Sequence, residues 1–134
     1  MIDITNTEVL KDLSSFDYVN QFIDLHNDYE CLSLKYFKEK KEFQLSFEPR
    51  IKNLISNRIT IFFEEIEISK CCIYFSRTID SSTLNIFYRG RFETDGKLLE
   101  LNSDNKTYWY IEFEDGDILE LFPSKVLVNI EQVI

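Results

Sequence analysis

The sequence predicts a mainly β protein of the α+β class, with an N-terminal helix packed on a curved antiparallel sheet that is half-barrel or sandwich-like. Three observations predict this fold. Apolar and polar residues alternate over much of 29–134, turn signals recur about every ten residues, and helical spacing is confined to 1–28. A helix followed by a run of strands excludes alternating βαβ units. A chain of 134 residues fits one domain, 1–134.

The N-terminal segment, 1–28, carries two helix signals. Thr5-Asn6-Thr7-Glu8 has the form of a capping box, followed by Val9, Leu10 and Leu13. A second helix is predicted from Ser14 or Ser15 to about His26. Its apolar positions fall mainly on one face at 3.6-residue spacing: Tyr18, Val19, Phe22, Ile23 and Leu25. One kinked helix or two short helices both fit.

The antiparallel sheet is predicted from 29 to 134. A strand through Leu32 and Leu34, a charged turn at 38–41 and a strand ended by Pro49 form a hairpin with a polar outer face. Residues 50–57 fit a loop or a short helical turn. A strand from Arg58 to Ser69 changes apolar phase after Glu64-Glu65, which indicates a bulge or bend.

The C-terminal half continues the same pattern. A strand is predicted over 83–93, a turn at Asp95-Gly96, and a closing strand around Val126, Val128 and Ile130. These segments bring the prediction to about eight strands, within the usual range for an antiparallel domain.

The segment Thr107–Phe122, TYWYIEFEDGDILELF, carries the strongest hairpin signal. A two-residue turn at Asp115-Gly116 puts Phe113 opposite Ile118, but it also puts Glu114 opposite Asp117, which is unfavourable. A three-residue loop with left-handed Gly116 shifts the pairing by one residue. The two registers remain alternatives. In both of them apolar side chains lie on both faces, which predicts a central hairpin.

Charge is unevenly distributed along this chain of net charge −9. Residues 93–120 contain nine acids and two lysines, which gives −7, and residues 1–30 contain seven acids and one lysine, which gives −6. Residues 35–52 carry six basic and three acidic residues, which gives +3. Such a protein repels nucleic-acid phosphates and attracts basic partners. Solubility alone is the simpler explanation of the charge.

The composition also constrains location. No apolar run approaches the length of a membrane helix, and the N-terminus lacks the features of a signal peptide. An odd number of cysteines, Cys31, Cys71 and Cys72, is a poor disulfide framework. We therefore expect a cytoplasmic protein without membrane association.

Residues for catalysis or cofactor binding are few. His26 is the only histidine, so a nucleophile system would need it, together with Cys31 for example. A histidine bonded to backbone is the simpler interpretation. Neither a spaced Cys/His quartet nor a calcium-loop spacing is present, and three glycines do not supply a phosphate loop. We expect no enzyme activity, cofactor or metal.

One segment has a weak nucleic-acid signature. Residues 87–92, FYRGRF, interleave aromatic and basic side chains, as stacking platforms do. The acidic balance of the whole domain favours a solvated strand face instead. We expect no nucleic-acid partner.

A family resemblance extends over about residues 25–131. LHNDYECLSLKYFKEKKEFQLSF, then RITIFFEEIEI, then YWYIEFEDGDILELFPSKVLVNIE resemble small bacterial immunity proteins of contact-dependent growth inhibition and related polymorphic toxin systems. The pattern departs at His26-Asn27-Asp28, where Asn separates the pair, and in the longer N-terminus. The resemblance implies a non-catalytic protein that binds and occludes a cognate toxin domain, often a nuclease.

Two acidic groups are the predicted contacts for a basic toxin, because an acidic surface speeds association with a basic one. The first lies on the hairpin and the second on the strand after Arg58. The first contains Glu112, Glu114, Asp115, Asp117 and Glu120, and the second contains Glu64, Glu65 and Glu67. The alternative function is a small-ligand-binding β module with an apolar cavity lined by aromatic residues. The sequence leaves the oligomeric state open.

Overall fold

The computed structural model describes residues 2–5, 15–18, 21–51, 56–72, 83–89, 91–94, 97–100, 102–103 and 106–133. These residues are mainly β. Fifteen strands lie in the described part of the chain: β1 Ile2–Asp3, β2 Ser15–Tyr18, β3 Gln21–Asp24, β4 Tyr29–Phe37, β5 Glu42–Pro49, β6 Ser56–Glu64, β7 Glu67–Cys72, β8 Leu84–Arg89, β9 Arg91–Thr94, β10 Lys97–Glu100, β11 Asn102–Ser103, β12 Lys106–Thr107, β13 Trp109–Phe113, β14 Ile118–Phe122 and β15 Lys125–Val133.

Two antiparallel sheets form the body of the protein. The first has five strands in the order β1-β15-β6-β5-β4, and the second has four in the order β7-β14-β13-β8. Three further pairs, β2-β3, β9-β10 and β11-β12, are separate two-stranded hairpins. Neither large sheet closes on itself. The mainly β, antiparallel prediction is confirmed, with two sheets that do not close into a barrel.

The hydrophobic core lies between the two sheets. Alternate residues of β5, β6 and β15 are buried on one side, and alternate residues of β13 and β14 on the other. Phe63 of the first sheet contacts Phe87 and Trp109 of the second, with ring centroids 6.3 and 5.8 Å apart. Edge-to-face ring contacts of this kind add to the burial of apolar surface.

The prediction of an N-terminal helix is wrong for the residues of 1–28 that the structure describes, among which there is no helix. Residues 15–18 and 21–24 pair as an antiparallel hairpin, β2 with β3, instead of continuing a helix to His26. Asp24 ends this hairpin. Its Oδ1 accepts hydrogen bonds from the backbone N–H groups of His26 and Asn27 at 3.1 and 3.0 Å, which caps the turn that follows. The capping box at Thr5–Glu8 falls largely outside the described residues.

The β4-β5 hairpin is confirmed. β4 pairs with β5 across the turn at 38–41, and β5 ends at Pro49. The prediction of a polar outer face holds on β5, where Glu48 Oε1 accepts from Arg58 Nη2 of β6 at 2.7 Å. It is wrong on β4, where Leu32 and Tyr36 are 40% and 44% exposed, whereas Cys31 is buried. A bulge between Cys31 and Ser33 shifts the β4-β5 register.

The predicted strand from Arg58 to Ser69 is two strands in different sheets. β6 ends at Glu64 in the first sheet, and β7 begins at Glu67 in the second. Glu65 between them has φ 48°, the left-handed region. The phase change after Glu64 therefore marks a crossover between the sheets. Ile66, between the two strands, is buried, whereas Ile68 on β7 is 41% exposed.

The C-terminal strands follow the prediction more closely. The strand expected over 83–93 corresponds to β8 and β9, β9 pairs with β10, and β15 forms where Val126, Val128 and Ile130 alternate. The turn predicted at 95–96 lies outside the described residues. β15 pairs with β6 along its whole length, from Lys125↔Glu64 to Val133↔Ser56. Of the loop or short helical turn predicted over 50–57, residues 56–57 belong to β6 and 52–55 lie outside the described residues, as do residues 73–82, a possible extension of β7.

Candidate functional site

The acidic hairpin of β13 and β14 turns through a three-residue loop, Glu114-Asp115-Gly116. Phe113 N–H donates to Asp117 O at 2.9 Å, and Gly116 N–H donates to Phe113 O at 3.0 Å. Gly116 has φ 96°, which a residue with a Cβ adopts at a cost. Of the two predicted registers, the three-residue one is confirmed, with Ile111 opposite Leu119 and Glu112 opposite Ile118. The hairpin is central in its sheet, as predicted.

This loop is held in place by hydrogen bonds to its backbone. Glu114 N–H donates to Thr83 O at 2.9 Å, next to the start of β8. Asp115 Oδ1 accepts from Asp117 N–H at 3.1 Å, so that one acidic side chain caps the turn. The Glu114 side chain is exposed, and Asp115 and Asp117 are half-buried. The loop therefore presents carboxylates from a braced backbone.

The other two acids of the first group lie on the outer face of the second sheet. Tyr110 Oη donates to Glu112 Oε1 at 2.9 Å, and Asn85 Nδ2 donates to Glu112 Oε2 at 3.2 Å. Tyr108 Oη donates to Glu120 Oε1 at 2.5 Å. Hydrogen bonds from neutral donors orient both carboxylates and leave their negative charge in place.

The second acidic group lies at the crossover from β6 to β7, at the far end of the second sheet from the acidic loop. Glu67 is opposite Phe122, at the far end of β14 from the loop. Four residues of strand separate the two ends, roughly 14 Å. Lys106 Nζ lies 3.8 Å from Glu67 Oε1, and Ser124 Oγ donates to Glu65 Oε2 at 3.0 Å. Glu64 is opposite Lys125. The two predicted groups are thus not one patch, and the second includes local positive charge.

The turn at His26–Asp28 lies at the same end of the second sheet as the acidic loop. His26 Nδ1 donates to Leu84 O at 2.5 Å, and the carbonyl acceptor fixes the hydrogen on Nδ1. Arg50 Nη2 donates to Thr83 Oγ1 at 2.7 Å, and Arg50 N–H to Asp28 O at 3.0 Å. The Thr83–Leu84 segment therefore connects the His26–Asp28 turn, Arg50 and the acidic loop. The predicted backbone-bonded histidine is confirmed, but in a turn rather than at a helix end.

A surface groove of about 350 Å³ lies beside this turn. Its lining consists of Asn27, Asp28, Tyr29, Pro49, Arg50 and Ile51. Burial, and then the neighbouring Asp28 carboxylate, raises the pKa of Tyr29. The sequence signal for this site was weak: the His26-Asn27-Asp28 segment stood out, but nothing in the sequence placed Arg50 beside it.

The surroundings of Cys31 do not activate a thiol. Cys31 is buried, and its desolvation raises the pKa of its thiol to about 12, to which the negative charge of Asp115 contributes. A nucleophilic cysteine requires the opposite shift. Within the described residues, no three His, Cys, Asp or Glu side chains converge so as to hold a metal ion. Phe87 of the aromatic-basic segment lies in the core.

The acidic end, defined by Asp28, Glu112, Glu114, Asp115 and Asp117, is therefore the candidate functional site. Its braced backbone and the hydrogen-bonded carboxylates of Glu112 and Asp115 suit the binding of lysine and arginine side chains. The described residues contain no helix long and apolar enough to cross a membrane. Comparison with protein-family models, with curated proteins and with solved structures found no match to this chain.

Proposed function

We propose that this protein is a cytoplasmic immunity protein, which binds a basic, nuclease-like bacterial toxin domain and neutralises it by covering its substrate cleft. The observation that carries the proposal is the acidic end: Glu114, Asp115 and Asp117 surround one braced loop, and Asp28 lies on the turn joined to it through Thr83. Such a surface complements the basic cleft by which a nuclease holds phosphates. The family resemblance of residues 25–131 supports the same function.

The proposed mechanism is occlusion without catalysis. A rigid docking surface loses little conformational entropy on binding, and the backbone bonds of the loop at Thr83 and Phe113 favour such rigidity. A net charge of −9 attracts a basic toxin over distances longer than a contact. The proposal gives the protein a role inside the producing cell, where its three free thiols remain reduced.

The test uses the domain encoded by the reading frame immediately upstream, purified in an inactive form. We expect it to bind the protein in a one-to-one complex, with an association rate that falls steeply as salt is added. Glu114→Lys is expected to slow association about tenfold at low salt, because it places a repulsive charge at the contact. Glu131→Lys, an equal change at an exposed residue of β15, is the matched control.

Two outcomes would contradict the proposal. One is that the upstream product shows no toxic activity and no binding. The other is that it binds with a rate that ignores both salt and Glu114→Lys. A protection assay separates neutralisation from mere binding: growth of toxin-expressing cells should be rescued by the wild-type protein and less well by Glu114→Lys.

A second candidate function is supported by the groove at Asp28 and Arg50. Its volume of about 350 Å³ falls in the range of small-molecule sites, and its lining mixes apolar and charged groups. In this candidate a small ligand binds outside the sandwich, not in an apolar cavity between the sheets. Native mass spectrometry of the purified protein would reveal a retained ligand, and its loss in Arg50→Gln would assign it to the groove. A bare protein mass would count against this function.

A further inference from the structure

Exposed apolar side chains are concentrated on one edge strand. Among the described residues, the large hydrophobic side chains that remain exposed are Leu32, Tyr36, Phe37, Ile51 and Ile68. Three of them belong to β4, with 40% of Leu32, 44% of Tyr36 and 40% of Phe37 accessible. The opposite edge of the same sheet is the two-residue β1. The apolar exposure of the first sheet is therefore concentrated along β4.

One edge of the β4 backbone has no strand partner among the described residues. β4 is the last strand of the five-stranded sheet, and within the described residues only β5 pairs with it. Its nine residues span roughly 30 Å, long enough for a full ladder with another strand. Long edge strands with apolar side chains are sites of strand addition unless something prevents it.

Charge along β4 is polarised. The end that follows the His26 turn carries Asp28 and Glu30, whereas the other end and its turn carry four lysines against two glutamates, a net positive charge: Lys35, Lys38, Lys40 and Lys41, with Glu39 and Glu42. A second β4 approaching in the antiparallel direction places the acidic end of each strand beside the lysine end of the other. A parallel approach places like charges together, which is unfavourable. The strand is self-complementary in one direction only.

We propose that β4 pairs antiparallel with β4 of a second copy, so that the two five-stranded sheets become one continuous sheet across a twofold axis. A pairing centred on Ser33 puts Asp28 beside Lys38 and Tyr29 beside Phe37, to within the one residue that the bulge at Cys31–Ser33 adds. Each contact occurs twice, as an isologous interface requires.

Two features of β4 also select the partner. A lysine on an edge strand and a bulge are devices that prevent indiscriminate edge pairing. In the pairing centred on Ser33, Lys35 lies opposite Cys31 and is therefore next to the acidic end of the partner strand. The same residues that deter other strands are thus compatible with a second copy of this one.

The test is sedimentation equilibrium of the isolated protein at rising concentration, without any toxin present. We expect the wild type to pass from monomer to dimer. Asp28→Lys alone and Lys38→Glu alone are each expected to raise the dissociation constant about tenfold, because each turns two attractions into two repulsions. Mixing the two variants should restore a dimer of one copy of each, since the heterodimer again sets opposite charges together.

Control variants with the same charge changes away from β4 are Glu131→Lys and Lys125→Glu, both at exposed residues of β15. They should leave the dissociation constant within about twofold of the wild type. Far-ultraviolet circular dichroism checks that each variant folds. Hydrogen exchange gives a second measurement: the amides of Ser33–Phe37 should become protected as concentration rises.

Three outcomes would overturn the proposal. The first is a wild type that remains monomeric at every concentration. The second is a dimer that the β4 variants and the β15 controls affect equally. The third is a pair of β4 variants that do not associate with each other on mixing. Because no toxin is present, these results are independent of the proposed function.

Discussion

Phe63 of the first sheet and Trp109 of the second meet edge to face, with ring centroids 5.8 Å apart and planes at 75°. Neither ring is accessible to solvent. Phe87 contacts both of them, with its centroid 5.3 Å from that of Trp109. These three rings lie on β6, β8 and β13, so Phe63 makes two ring contacts from the first sheet to the second.

Truncating the central ring should therefore destabilise the whole fold. We expect Phe63→Ala to lower the free energy of unfolding by about 3–5 kcal/mol, because it removes buried apolar surface and leaves a cavity. Urea unfolding followed by the fluorescence of Trp109, the sole tryptophan, measures this. Phe62→Ala, on the half-buried outer side of the same strand, is the control and should cost much less. If Phe63→Ala and Phe62→Ala lowered the free energy of unfolding equally, the inter-sheet ring contacts would not account for the stability of the fold.

The acidic loop should depend on the left-handed conformation of Gly116. Gly116→Ala is expected to cost about 1–2 kcal/mol, since a Cβ is disfavoured at φ 96°. Gly116→Asn should cost less, because asparagine tolerates this region better. Thermal unfolding of the two variants gives the comparison. If alanine and asparagine behaved alike, backbone conformation would not explain the glycine.

The register of this hairpin shows what sequence alone leaves undecided. Both loop lengths place Gly116 in the turn, and the like-charge pair of Glu114 and Asp117 only weighed against the two-residue turn. The core decides between them: Trp109, Ile111 and Phe113 share a buried face with Leu119 and Leu121 only in the three-residue register. The face of a strand that meets the core is determined by packing against the other sheet, so the residues of the hairpin alone do not determine its register.

In the β2-β3 hairpin, the sequence pattern was compatible with both a helix and a strand. Ile23 and Leu25 fit a helical face, yet both are buried in a strand end and the turn after it. Short apolar runs rich in aromatic and β-branched residues are compatible with either period, and tertiary packing chooses between them. The long strands β5 and β15 were predictable because their period is sustained, whereas β4 was predictable as a strand but not in which of its residues face the core, because a bulge at Cys31–Ser33 shifts its period. The site at Asp28 and Arg50 was not, because its residues meet only through the tertiary fold.

The turn after β3 should depend on the Asp24 carboxylate. Asp24 is 8% exposed, and its oxygens accept from two backbone N–H groups and from Asn27 Nδ2 at 2.8 Å. Asp24→Ala leaves these donors without their acceptor, at a cost of about 1–3 kcal/mol. Denaturant unfolding tests this, with Asp28→Ala, an exposed acid of the same turn, as the control. A loss no larger than that of the control would contradict a capping role.

Burial of Cys31 predicts a loss of stability at alkaline pH. The ordinary pKa of 9.0 applies to the unfolded chain, and burial raises the pKa to about 12 in the fold. Between these values the folded state keeps a proton that the unfolded state has lost, so stability falls as pH rises. The stabilisation is fully present below pH 9 and is lost as pH rises towards 12.

The measurement is the free energy of unfolding of the wild type and of Cys31→Ala over this range. The wild type should lose up to roughly 1.4 kcal/mol per pH unit more than the variant, which has no thiol at this position. Subtracting the variant removes the contributions of other groups, such as tyrosines. Parallel pH curves would show that Cys31 does not titrate differently in the two states.

The two acidic groups should contribute unequally to the proposed toxin complex. Glu114 and Asp117 lie at the braced loop, whereas Glu65 and Glu67 lie at the far end of β14, where Lys106 is 3.8 Å from Glu67. We expect the double reversal Glu114→Lys and Asp117→Lys to weaken binding at least about tenfold, and Glu65→Lys with Glu67→Lys to weaken it no more than about threefold. Both double variants change the net charge equally, so a difference in their dissociation constants reflects the position of the acids and not the total charge.

Calorimetric titration with the upstream toxin domain measures these dissociation constants. A larger effect at Glu65 and Glu67 would move the contact to the crossover between β6 and β7, and equal effects would reduce the role of both groups to long-range attraction.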